Sequence, residues 1–212
     1  SALQITEVLP DTSNVGGADA YEFIEVYNAT DRPVDFGDYK INYLYPAADL
    51  SVPTSTRWPS QPEAPVIEPG RTLVLWIKNS ANQHLTYTDF NTKWGTALEG
   101  DVELVEIHSG GMANAGLRGV DVITNTGVTI SRVYYNVTGD DTLPDQGIHY
   151  AVGDEDPALS EILEIAPATP GIVGVGTQVP DGLMVVTDDP VAPTIVDVTG
   201  EAGVGTDENG MG

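Results

Sequence analysis

The chain has 212 residues, 32 acidic against 8 basic side chains, a formal net charge of −24 at pH 7, and no cysteine. The missing thiol excludes disulfides, thiol catalysis and zinc–thiolate sites. The charge repels duplex nucleic acid and anionic membranes, which are bound through clustered Lys or Arg that this sequence lacks.

Strand patterns dominate from the start. Residues 3–9, Leu3-Gln4-Ile5-Thr6-Glu7-Val8-Leu9, form the first, and residues 10–19 are dense in turn formers. In Tyr21-Glu22-Phe23-Ile24-Glu25-Val26-Tyr27-Asn28, Glu22, Ile24, Val26 and Asn28 share one strand face and Tyr21, Phe23, Glu25 and Tyr27 the other. Apolar residues on both faces predict a central strand. Residues 33–43 run from a turn into a third strand. A long proline-rich loop around Trp58 comes next, then Ile67-Glu68-Pro69-Gly70-Arg71-Thr72-Leu73-Val74-Leu75-Trp76. Further strands are predicted over 102–107, 120–124 and 128–135, and short helices over 85–94 and 157–165. Hydrophobic residues make up 41% of the chain, enough for a core, while 23 Gly and 15 Pro leave little room for longer helices. The predicted core includes Ile5, Phe23, Ile24, Val26, Ile41, Leu73, Leu75, Val133 and Tyr135. Residues 174–182 read as a linker. Beyond it, 183–187 and 193–199 carry strand patterns, and 200–212 is an acidic, Gly-rich end.

The ordered series of these pieces resembles the lamin tail domain family. The pieces are the 21–28 strand, the Glu68-Pro69-Gly70 turn into 72–76, Asp89-Phe90-Asn91-Thr92-Lys93-Trp94-Gly95-Thr96 as a helical crossover, Gly110-Gly111-Met112-Ala113-Asn114-Ala115-Gly116, the 129–136 strand, and the close at Ala168-Thr169-Pro170-Gly171. The resemblance covers roughly residues 3–173 and is strongest to prokaryotic, secreted versions found beside metallophosphoesterase or nuclease domains. It implies an immunoglobulin-like β-sandwich over 1–173, a secreted or cell-surface location, and a scaffold or interaction role rather than catalysis. The fold class is therefore mostly β, a sandwich followed by an extended C-terminal tail over 183–212.

No catalytic constellation competes with that implication. His84, His108 and His149 each stand alone, and Ile107-His108-Ser109-Gly110-Gly111 lacks the first glycine of a nucleophile elbow. Neither Gly174-Val175-Gly176 nor the glycines of 200–205 open a helix, as a phosphate-cradling loop would require. No cofactor is expected. Structural calcium is carried as a weaker reading, at Asp140, Asp141, Asp154 and Asp156, because hard cations take clustered loop oxygens; in a chain with 32 acids, solvated acidic turns rank above it. Solubility and adaptation to high salt are the first readings of the acidity itself.

Tyr39, Tyr43, Tyr45, Trp58 and Trp76 offer either a sugar-stacking platform or ordinary core packing, with Trp58 expected to be the exposed one and a contact for a partner protein or glycan. Asn28-Ala29-Thr30 and Asn136-Val137-Thr138 are glycosylation sequons. Two functions follow. In the first, the protein assembles with copies of itself, into a filament or surface polymer, through a C-terminal strand carrying Ile195, Val196 and Val198. In the second, it is a non-catalytic anchoring module of a secreted hydrolase. Neither involves nucleic acid or membrane insertion; no segment is long and apolar enough to span a bilayer.

Overall fold

The computed structural model describes residues 1–46, 50, 53–58 and 65–187. Within them the strands are β1 (Leu3–Leu9), β2 (Asn14–Val15), β3 (Ala18–Asp19), β4 (Phe23–Asn28), β5 (Val34–Asp35), β6 (Tyr39–Tyr45), β7 (Thr54–Arg57), β8 (Val66–Ile67) and β9 (Thr72–Lys78). A helix α1 (Tyr87–Trp94) precedes β10 (Leu104–His108), β11 (Arg118–Thr124), β12 (Thr129–Tyr135), β13 (Gln146–Val152) and β14 (Ser160–Pro167).

One sheet has the order β10-β9-β4-β1-β13-β14 and the other β12-β11-β6-β7. All neighbours are antiparallel except β9 and β10. The inner faces meet in a core of Ile5, Val8, Ile24, Val26, Ile41, Leu73, Leu75, Val120, Val133, Tyr135 and Tyr150 among others, which is the packing of a β-sandwich. As the alternation predicts, β4 is internal, paired to β1 and β9, and buried along its whole length. Every residue predicted for the core is buried.

The outer face of the larger sheet is buried too along its central strands β1, β4 and β9. Thr86 and Asp89 form a capping box at the start of α1, and Gly95 closes it in the left-handed conformation at φ 68°. The helix lays Phe90 over Phe23 and Trp76, at ring-centroid distances of 5.9 and 5.1 Å. Leu9, Val74 and Leu104 complete this second cluster. A bulge in β1 places Ile5 opposite Val26 and Glu7 opposite Glu25, so Thr6 is the extra residue and Glu7 joins Glu25 on the outer face.

Three expectations are corrected. Residues 157–165 are not a helix: β14 pairs with β13 from Val152↔Ser160 to Gln146↔Pro167. A short apolar run fits either period, and here the free edge of β13, a strand the sequence reading did not anticipate, decides it. Residues 174–182 are not a free linker: Gln178 is buried and donates through Nε2 to the Thr6 and Tyr150 carbonyls at 2.7 and 3.1 Å, and Val179 packs on Tyr27 and Ala29. Within 183–187 only Met184 pairs. It sits beside Thr30, exchanging hydrogen bonds with the Ala29 carbonyl (2.7 Å) and the Asp31 amide (3.0 Å), so this part of the tail returns to its own domain.

Candidate functional site

Glu7 and Glu25 are cross-strand partners on the covered face, each 0% exposed. What covers them is the strap of residues 168–179. The Thr169 amide lies 3.2 and 3.1 Å from the two Glu7 oxygens, and its hydroxyl donates to Glu7 Oε1 at 3.0 Å. The Gly171 amide donates to Glu25 Oε2 at 2.7 Å, and Thr6 Oγ1 to Glu25 Oε1 at 2.7 Å. His149, opposite Glu7 on β13, places Nδ1 3.7 Å from Glu7 Oε1 and Nε2 3.3 Å from the Pro167 carbonyl. Gly147 is required here, because a Cβ would stand 2.2 Å from Glu7 Oε2.

Burial shifts both acids strongly. Desolvation, then repulsion from Glu25, raises Glu7 well above the usual carboxylate range despite the Thr169 bonds. Desolvation pushes Glu25 up to about 7, against the lowering effect of Thr6 and Gly171. Two ionised carboxylates facing each other with no Lys or Arg among the described residues paired to either repel, so the two acids titrate as a unit.

A third buried acid, Glu22, receives another turn. Its Oε1 accepts from the Met112 amide at 2.7 Å, and burial pushes it up to about 9. Beside it, Tyr43 and Tyr135 share a 3.0 Å hydrogen bond and hold both backbone groups of Ala113. The turns at 110–116 and 168–171 are thus each seated on carboxylates of the β1–β4 region.

The predicted sites fare differently. Trp58 is corrected: it is 5% exposed, not a surface contact. Its amide bonds to the Ile41 carbonyl at 2.9 Å, extending the β6–β7 pairing, and its ring stacks on Tyr43 at 5.3 Å. Tyr43 and Trp76 are core, Tyr39 is half-buried and Tyr45 exposed, so these aromatics do not share one platform. The four candidate calcium ligands are not brought together. Asp140 and Asp141 precede β13 and Asp154 and Asp156 follow it, at opposite ends of a seven-residue strand. Asp141 accepts from the Asn136 amide at 2.5 Å, and Asp156 from Ala158 at 2.9 Å. Among the described residues there is no group of three or more His, Cys, Asp or Glu able to hold a metal. Ile195, Val196 and Val198 lie outside the described residues. Asn28 is fully buried, with Nδ2 donating to the Arg32 and Ile67 carbonyls, so the folded chain does not present that sequon.

Sequence reasoning missed the acid pair, though one signal was present: a central strand with apolar residues on both faces leaves Glu25 nowhere exposed to go. Nothing local joins it to Glu7, His149 or the strap.

The Lamin Tail Domain family model matches residues 1–136. The chain belongs to the lamin tail domain family. It is also 37% identical over 198 residues to the uncharacterized protein YvnB of Bacillus subtilis (strain 168), a match covering 93% of this chain and 15% of that protein. This lamin tail domain therefore corresponds to a small part of a much longer relative. Its strap, with β13 and β14, lies beyond the residues matched by the family model.

Proposed function

We propose that the chain is a non-catalytic, extracellular interaction and spacing module of a longer secreted or cell-surface protein. The observation that carries this reading is the lopsided match to YvnB: nearly all of this chain against 15% of that protein. The fold agrees with it. The buried acids are occupied in holding turns, and all three lie behind packed backbone rather than in an open cleft. The return of Met184 to Ala29 and Asp31 favours a self-contained module over a tail wholly committed to a neighbour.

Light scattering on the chain across a wide concentration range tests this, together with assays against phosphodiesters, DNA and glycosides with divalent metals supplied. A monomer without turnover is expected. Turnover abolished by changing one Asp or His would overturn the reading.

A second reading, assembly with copies of itself, is favoured by β14. Among the described residues this eight-residue strand is paired only to β13, and it exposes Ile162 and Leu163. A second copy adding its 193–199 segment there would appear in the same experiment as concentration-dependent assembly, lost on removal of 188–212.

A further inference from the structure

We propose that Glu7 and Glu25 form a proton-controlled latch for the strap of residues 168–179, so that the C-terminal part of the domain is docked when the pair holds protons and loosens when both acids ionise. The geometry sets this out. The pair sits beneath the strap, and the strap's contact with it consists of the Thr169 amide and hydroxyl and the Gly171 amide. These donors are neutral. They satisfy one charge by hydrogen bonding but do not compensate two charges buried side by side.

The groups facing the pair are few. From β13 comes His149, 3.7 Å from Glu7, and Glu164 of β14 is its register partner. From β4 comes Tyr27, whose ring lines the cavity of about 160 Å³ beside Gly171. Across that cavity Arg71 pairs with Glu103 at 3.9 Å rather than with Glu25. The strap itself supplies no charged side chain between 168 and 179. No lysine or arginine among the described residues forms an ion pair with Glu7 or Glu25.

The sign follows from linkage. Both acids are raised when the strap is docked and return to ordinary values when water reaches them. Docking is then strongest below the ordinary carboxylate pKa. It weakens as pH rises through about 7 for Glu25 and further as Glu7 ionises. Release would free Gln178 and Val179 from their seats and uncover Tyr27 and Ala29. Once the Met184 bonds to Ala29 and Asp31 also open, the 168–187 segment, about 20 residues, extends to about 65 Å. For a spacing module, that changes the reach to whatever the segment is joined to.

Hydrogen exchange on the full chain tests the latch, comparing the Thr169 and Gly171 amides with the Leu75 amide in β9 from pH 5 to pH 8. Protection factors at Thr169 and Gly171 are expected to fall by at least about tenfold per pH unit, one factor of ten for each proton lost on release, well ahead of Leu75. In Glu7→Gln/Glu25→Gln the strap amides should lose that dependence. If that variant does not fold, the wild-type series decides alone. Strap protection that is flat with pH, or that moves in step with Leu75, overturns the proposal.

Discussion

Glu22 offers the sharpest test of the electrostatics of this fold. It is almost fully buried, accepts from the Met112 amide, and is pushed up to about 9 from an ordinary 4.5, first by burial and then, beyond the opposing Met112 bond, by Asp19 and Asp11. A raised folded value means that the group favours folding most below about 4.5, and that stability drains away as pH rises through about 9. Each pH unit in that window costs about 1.4 kcal/mol, so holding Glu22 protonated at pH 7 costs the native state about 3 kcal/mol. Glu22→Gln is neutral at every pH and keeps an oxygen for the Met112 amide. Its NH2 must fit near Gly111, where a Cβ would stand 2.7 Å from Glu22 Oε2, at a cost of about 1 kcal/mol. The variant should therefore be about 2 kcal/mol more stable than wild type at pH 7 and no more stable at pH 4.5. Urea unfolding midpoints at pH 4.5, 7 and 8.5, with unchanged slopes, would measure it. Glu7 and Glu25 titrate in both proteins, so the difference between them isolates Glu22. A gap that does not widen with pH, or a variant less stable than wild type at pH 7, would refute the reasoning.

Other outcomes follow from the same packing. Leu75→Ala, at a fully buried inter-sheet position, should cost about 2–5 kcal/mol in chemical denaturation. Truncation after Thr187 should leave the melting temperature of the domain within a few degrees. Truncation after Gly174 removes buried Gln178 and Val179 and should lower it clearly, so an unchanged value would show that the strap is not part of the fold. Because the net charge is −24, melting temperature should rise between about 0.01 M and about 1 M salt, where the Debye length shrinks from about 30 to about 3 Å. A flat profile would remove self-repulsion from the account. Calcium should add nothing beyond its ionic strength, since Asp141 and Asp156 already cap local backbone and do not converge with Asp140 or Asp154.

By itself the sequence determined the β class, the central strand, the inter-sheet core and the helix α1, one of the two helices it offered. These are local properties: alternation over six or seven residues, or a Thr86–Asp89 capping box closed by Gly95. Family membership was legible for the same reason, in the order of such pieces. Tertiary structure alone decided the rest. Ser160–Pro167 became a strand because β13 had an edge to fill, and Trp58 turned inward because its amide continues the β7 ladder onto Ile41. The strap became part of the domain because buried carboxylates 146 and 162 residues away accept its amides. An isolated buried acid is costly and an isolated strap of this composition has little to pack on. Each is stabilised only by the other, and no window of local sequence contains both.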